Sequence, residues 1–148
     1  MTVVMAFILL LYNALKILAS NYCKCHKYGN VFLNTTSNSC IFCQILSEQS
    51  TDKFLFKDET CFAIRDINPV AKVHFLVIPN IHLTFLEQWD ESGLAIIGQM
   101  VNAARKLAES EGIADTGYRL SINQKEVAGQ MVDHLHLHVY GGEKLRSM

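Results

Sequence analysis

Residues 129–142 read GQMVDHLHLHVYGG. His134, His136 and His138 occupy every second position with Leu135, Leu137 and Val139 between them, and a β-strand sends alternate side chains to opposite faces. The stretch is expected to form a strand with one imidazole face and one aliphatic face. Histidine is a poor core residue at neutral pH, so three on one face need a chemical reason: a metal, a phosphate or nucleophilic catalysis. Gly129 upstream and Gly141-Gly142 at the end narrow that choice, because glycine lets a backbone N–H approach an anion closely. The reading is an oxyanion or phosphate site with a histidine nucleophile.

Outward from this strand, short apolar runs rich in aromatic or branched residues predict further strands at Lys53–Lys57, Cys61–Asp66, His74–Pro79 and Tyr118–Asn123. Asp58-Glu59 marks a hairpin turn and Asn68-Pro69 a second turn. Between Asp90 and Glu111 the residues Leu94, Ile97, Val101, Ala104 and Ala108 recur at helical spacing, widened by Met100 and Leu107. Asp90 or Ser92 is the expected amino cap and Gly112 the stop. Trp89 is expected to anchor that helix to the sheet.

The 148 residues suit one domain with an adequate core and no need of disulfides. Lys16, Lys24 and Lys27 are the only charged residues of 1–39, leaving ten basic and fourteen acidic side chains, a net −4, in residues 40–148. A mildly acidic segment is a poor general binder of nucleic acid, which needs lysine and arginine to neutralise phosphates. A small nucleotide, held by backbone amides and a few polar side chains, is the expected ligand. Five cysteines, an odd number, fit a reduced compartment or metal ligation better than a closed disulfide set.

At this point the chain resembles a known family. HLHLHVY fits the His-φ-His-φ-His-φ-φ signature of the histidine triad proteins at every position, φ being apolar, and the resemblance runs from Cys40 to Gly142. The match to DINPVAKVHFLVIPNIH, Asp66 to His82, is similar to the Hint-like nucleoside phosphoramidase branch. The resemblance implies an α+β fold: a five-stranded antiparallel sheet with one long helix and a short N-terminal helix, assembled as a homodimer in which part of the long helix faces the partner.

It also implies roles. His136 would be the nucleophile, His138 would stabilise charge on the phosphoryl oxygens, and His74 would line the same pocket. Asp66 would take the ribose hydroxyls and Ile67 cover the base, with Asn123, Gly129, Gln130 and Met131 at phosphate-facing positions. The substrate would be a purine nucleoside phosphoramidate, cleaved through a nucleotidyl-histidine intermediate. A neutral attacking imidazole needs an acceptor for its other N–H, and a carbonyl of the glycine loop is expected there. Cys-x-x-Cys alone is compatible with redox chemistry, zinc or coincidence; some family members place structural zinc on the residues matching Cys40, Cys43, His82 and His134.

Departures from the branch are local. Met131 stands where a serine or threonine hydroxyl usually helps the leaving group, Ser50-Thr51 replaces Ile-Pro, Asp133 replaces an aromatic, and the tail GEKLRSM lacks a Trp-Pro-Pro-Gly ending. A dinucleoside polyphosphate hydrolase, or a zinc-stabilised nucleotide-binding module with weak catalysis, are the competing functions.

Residues 1–39 are read apart from a domain spanning 40–148. The apolar run from Val3 to Tyr12 is short of the ~20 residues of a spanning helix, lacks the positive start of a signal peptide, and has no arginine for a presequence. A start codon assigned too early is the plain alternative. Asn34-Thr35-Thr36 is a glycosylation sequon, Cys23-Lys24-Cys25-His26 lacks zinc-knuckle spacing, and 21–39 reads as a linker. Cytoplasmic location is expected from the reduced cysteines, with organelle targeting or membrane anchoring through 1–20 as the alternative.

Overall fold

The order in which the strands lie side by side puts the histidines together. In the computed structural model, which describes residues 39–48, 52–88 and 90–147, five antiparallel strands form one sheet in the order β1-β2-β3-β5-β4. They are β1 Phe54–Lys57, β2 Cys61–Arg65, β3 Val73–Pro79, β4 Tyr118–Ser121 and β5 Leu137–Gly141. Helix α1 spans Ile41–Ser47 and helix α2 Glu91–Ser110. This is the α+β fold expected from the resemblance. Residues 1–38, Ser50-Thr51 and Trp89, and with them the expectations about an anchor, the sequon, the linker and the indole, lie outside the described residues. Among the described residues no helix is long and apolar enough to cross a membrane.

Turn chemistry sets the registers. The Asp58 carboxylate accepts the N–H groups of Thr60 and Cys61 at 2.7 and 2.8 Å, which closes the β1–β2 hairpin in the way short acidic side chains do. β2 then pairs with β3 from Cys61 opposite Pro79 to Arg65 opposite Phe75. β3 next pairs with β5, His74 opposite Tyr140 and Leu76 opposite His138. Because side chains alternate, His74, Leu76 and Ile78 share a face with His138 and Tyr140. β3 lies at the centre of the sheet, and from His74 to Pro79 it is buried on both faces.

α1 covers one of those faces. With seven residues it is too short to hold itself together in water, and its N-cap Cys40 makes no side-chain cap hydrogen bond. Packing supplies the stability instead: Phe42 and Cys43 cluster with Phe62, Leu76 and Ile78. α2 is properly capped, with Asp90 accepting Gly93 N–H at 3.0 Å, and it lies against β3 and β5.

Two expectations are corrected here. The buried stripe of α2 is Ile96, Met100, Ala103, Ala104, Leu107 and Ala108, whereas Leu94 and Val101 are 52 % and 39 % exposed. The helix carries more apolar residues than one face can hold, and the sheet takes the line through Ile96 and Met100. The histidine strand is also shorter than expected, beginning only at Leu137. Leu135 N–H turns to Leu83 O at 2.5 Å and His134 N–H to Val132 O at 2.8 Å, so the chain bends where His134 leaves the ladder. Both sides of this segment are buried, and the imidazoles of His134 and His136 are about as enclosed as Leu135 and Leu137.

Truncation of the true stripe should therefore cost far more than truncation of the exposed line. Ile96→Ala is expected to lower unfolding free energy by ~2–5 kcal/mol and Gln99→Ala, on the exposed side of the helix, by under ~0.5 kcal/mol in urea titrations of the full chain; similar losses would place the helix face wrongly.

Candidate active site

His134 is wholly buried, and every polar group of it is engaged. Its Nε2–H donates to Pro79 O at 3.0 Å, which leaves Nδ1 with a lone pair. That nitrogen lies 3.4 Å from Cys40 Sγ and 3.7 Å from Cys43 Sγ, while Cys43 Sγ lies 3.3 Å from His82 Nδ1. A tetrahedral ion bound at about 2.3 Å from sulfur and about 2.05 Å from nitrogen separates S and N ligands by about 3.5 Å. The four side chains could thus hold a metal ion, since all the ligand atoms lie within 4.8 Å of one another. The Pro79 carbonyl is the partner that fixes a ligating imidazole in the right tautomer.

The His134 carbonyl faces the next histidine. His136 Nδ1 lies 2.7 Å from it, and since a carbonyl can only accept, Nδ1 carries the proton and Nε2 the lone pair. The acceptor expected from the glycine loop is therefore supplied by the triad itself, two residues back along the chain. Phe42 of α1 packs edge-on against both His134 and His136, at 5.8 and 5.4 Å between centroids. That contact was not legible in the sequence, where Phe42 reads only as the residue between two cysteines.

His138, His74 and Asp66 converge on one point. His74 Nε2 is 3.1 Å from His138 Nδ1 and 3.3 Å from Asp66 Oδ2, and His138 Nδ1 is 3.5 Å from the same oxygen. Asp66 does two jobs: Oδ1 accepts Asn68 N–H at 2.8 Å and closes the turn, leaving Oδ2 for the imidazoles. Burial lowers the pKa of His74, with Asp66 opposing, and lowers that of His138 to about 4, aided by the charges His136 and His74 would carry. Both rings are thus neutral at pH 7. His138 Nε2 is buried and has no hydrogen-bond partner among the described residues, and the His136 and His138 rings stand 4.9 Å apart.

The loop before the triad is held together by its own hydrogen bonds. Gln130 is buried, its side-chain carbonyl accepting Lys125 N–H at 2.7 Å and its amide donating to Thr84 O and Val132 O at 3.2 and 3.0 Å. Its own N–H goes to Lys125 O, and that of Gly129 to Glu126 O at 2.8 Å. Both N–H groups placed at phosphate-facing positions are therefore spent on the loop, because the 3₁₀ turn Glu126–Ala128 needs them to close. Lys125 is held at φ 68°, a strained conformation for a non-glycine residue, and Gln130 satisfies its amide. Asn123 Nδ2 reaches Gly129 O at 3.4 Å. The β4–β5 register ends with Ser121 opposite His138, and Asn123 follows two residues beyond it. Met131 is 91 % exposed, as is Ile67 beside Asp66.

This geometry matches known proteins. The HIT domain family pattern matches residues 47–145. The chain belongs to the HIT family. It is 38 % identical over 108 residues to the purine nucleoside phosphoramidase of Escherichia coli (strain K12), covering 73 % of this chain and 91 % of that one. A HIT family hydrolase from Clostridium thermocellum is 41 % identical, with a TM-score of 0.72 over 76 % of this chain and 98 % of the other. A Zn-bound histidine triad family protein from Mycobacterium smegmatis is 32 % identical with a TM-score of 0.63, covering 75 % and 82 %. The five-stranded antiparallel sheet and two helices of this chain match the α+β fold of these HIT proteins.

Neutral burial of His74 and His138 has a consequence for stability. Both pKa values lie below the ordinary 6.5 in the fold, so as pH falls from 6.5 toward about 4 the unfolded chain binds protons that the native chain refuses. Stability is expected to fall across that window. The urea midpoint should be lower at pH 5 than at pH 7, and His138→Asn should weaken that dependence; an unchanged slope in the variant would show that His138 does not contribute.

Proposed function

We propose that residues 40–148 form a nucleotide hydrolase that cleaves purine nucleoside phosphoramidates of the AMP-amine type. The observation that carries this reading is the 2.7 Å contact from His136 Nδ1 to His134 O, which leaves Nε2 free as a nucleophile beside an imidazole with an unused N–H. The E. coli relative named as a purine nucleoside phosphoramidase supports the substrate class.

The reaction runs in two displacements. His136 Nε2 attacks the α-phosphorus, the P–N bond breaks, and the leaving amine takes a proton from solvent water, giving nucleotidyl-His136. Water then attacks the same phosphorus, breaking the P–Nε2 bond and releasing the nucleoside monophosphate. His138 Nε2–H donates to a phosphoryl oxygen, where charge develops. Asp66 Oδ2 accepts from the ribose hydroxyls, Ile67, exposed next to it, covers the purine, and Asn123 bonds the phosphate. Gly129, Gln130 and Met131 form the loop wall, the first two by holding its shape.

Cys40, Cys43, His82 and His134 hold structural zinc in this reading. Four protein ligands leave the ion no open position, so it supplies rigidity and no bond to the substrate. A homodimer is supported by the exposed Leu94 and Val101 of α2 together with Leu120, 38 % exposed on the edge strand β4. The reduced, metal-type thiols favour the cytoplasm.

Exposed Met131 favours a second reading, a nucleotide-binding module of weak activity, because a thioether cannot donate a proton to the departing amine. Hydrolysis of a fluorogenic adenosine phosphoramidate separates the two. Wild type should turn over, His136→Ala should lose at least ~10³-fold, and Met131→Ser should raise kcat; adenosine monophosphate binding without turnover in any of them would leave the binding module.

Zinc is checked independently. The purified chain is expected to hold one zinc ion per polypeptide by elemental analysis, and Cys43→Ser to lose it together with ~3 kcal/mol of stability. Equal metal content and melting temperature in both proteins would remove the assignment.

A further inference from the structure

We infer that the backbone amide of Val70 sets the tautomer of His138 through His74, so that His74 is a positioning residue and His138 presents Nε2–H to the phosphoryl group. The inference rests on the proposed hydrolase reading for its catalytic consequence, though not for the tautomer itself.

The chain of constraint starts in the β2–β3 connection. Val70 N–H donates to His74 Nδ1 at 3.2 Å, and a backbone amide has no other role to play than donor. His74 Nδ1 must therefore carry a lone pair, and the neutral ring must carry its proton on Nε2. That N–H is aimed at His138 Nδ1, 3.1 Å away, with Asp66 Oδ2 alongside at 3.3 Å. Two protons cannot occupy a 3.1 Å gap between nitrogens, so His138 Nδ1 is also a lone pair. Its one proton sits on Nε2, the buried atom that has no partner among the described residues.

The alternative arrangement is the less favourable one on the same distances. His138 could donate Nδ1–H to Asp66 Oδ2 only across 3.5 Å, and it would then press a proton against the one on His74 Nε2. A charged His74 would turn a second N–H toward Val70 N–H. Both rings lie in surroundings that disfavour their charged forms, as the lowered pKa values of His74 and His138 record. Tyr140 holds the His74 ring from the side, edge-on at 5.4 Å.

The result is a pair of neighbouring imidazoles of opposite polarity. His136 is locked by a carbonyl and offers a lone pair. His138 is locked by an amide, relayed through His74, and offers an N–H. Val70 itself is 69 % exposed, so its side chain takes little part and the effect belongs to its backbone.

The test measures tautomer and turnover separately. In 15N-histidine-labelled full chain at pH 7, His138 is expected to show a lone-pair Nδ1 and a protonated Nε2. Val70→Pro removes the initiating N–H, and His74→Leu removes the relay; each should mix the two His138 tautomers and lower kcat for the adenosine phosphoramidate about tenfold or more with little change in KM. His74→Gln keeps a donor at the Nε2 position and should restore the His138 tautomer, with kcat above that of His74→Leu. An unchanged His138 tautomer in both Val70→Pro and His74→Leu overturns the inference, and so does a mixed tautomer with undiminished kcat. A wild-type chain without hydrolytic activity would defeat the hydrolase reading alone, because the nitrogen shifts would still decide the relay.

Discussion

The bond from His136 Nδ1–H to the carbonyl of His134 is the constraint on which the site depends, because it ties three parts of the molecule through one residue. The carbonyl that holds the His136 ring belongs to the residue whose Nδ1 faces two thiols and whose Nε2–H is fixed to the end of β3. Moving His134 would release the cysteine helix, the β3 terminus and the His136 ring together. This also explains why the strand stops short of it. A regular ladder would direct the His134 carbonyl to a neighbouring strand, whereas the bend at 132–134 frees it for the imidazole two residues on.

Three identical side chains at equal spacing end with three different chemistries. His134 presents a lone pair to sulfur, His136 a lone pair outward and His138 an N–H outward, and in each case the partner of the opposite ring nitrogen decides. Two of those partners lie on β3, Pro79 at its end and His74 near its start, and the third, the His134 carbonyl, lies in the bend. Strand order makes this possible. Placing β5 beside β3 sets His138 across from Leu76 and diagonal to His74, and the β2–β3 connection then brings Asp66 and the Val70 amide to the same corner.

Much of the fold could be read from residue pattern. The strand runs bounded by Asp58-Glu59 and Asn68-Pro69 agree with the observed strands to within a residue or two, because turn chemistry and β-branched runs are local properties. The face of α2 was less legible: Leu94 and Val101 satisfy the same periodicity as Ile96 and Met100, and only the sheet chooses between them. At the site, the two clusters could be named from resemblance, since Cys40, Cys43, His82 and His134, and Asp66, His74 and His138, do come together. The acceptors were hidden, because backbone groups such as Pro79 O, His134 O and Val70 N–H leave no trace in side-chain identity. The role of Gln130 inside the loop was hidden for a related reason, since nothing in the sequence shows that the Lys125 amide takes its side-chain carbonyl.

Enclosing several imidazoles in a small sheet is costly, since burial of an ionisable group removes its hydration and leaves every unpaired nitrogen as a penalty. A core of leucine and phenylalanine at these positions would be more stable at acid pH. The molecule limits the cost by pairing the rings with backbone groups and with one another, so that most of their nitrogens are satisfied while each ring defines the polarity of its neighbour. The unpaired atom that remains, His138 Nε2, sits next to the ring whose lone pair faces outward. Its exposure to an unmet hydrogen bond is the kind of local inconsistency that natural folds retain at working sites. A phosphoryl oxygen would remove that inconsistency by accepting the bond, and it would do so more strongly as charge accumulates on it during attack by His136. In the proposed reaction the polar burial that weakens the free protein would thereby be returned as stabilisation of the charge that develops on the phosphoryl group.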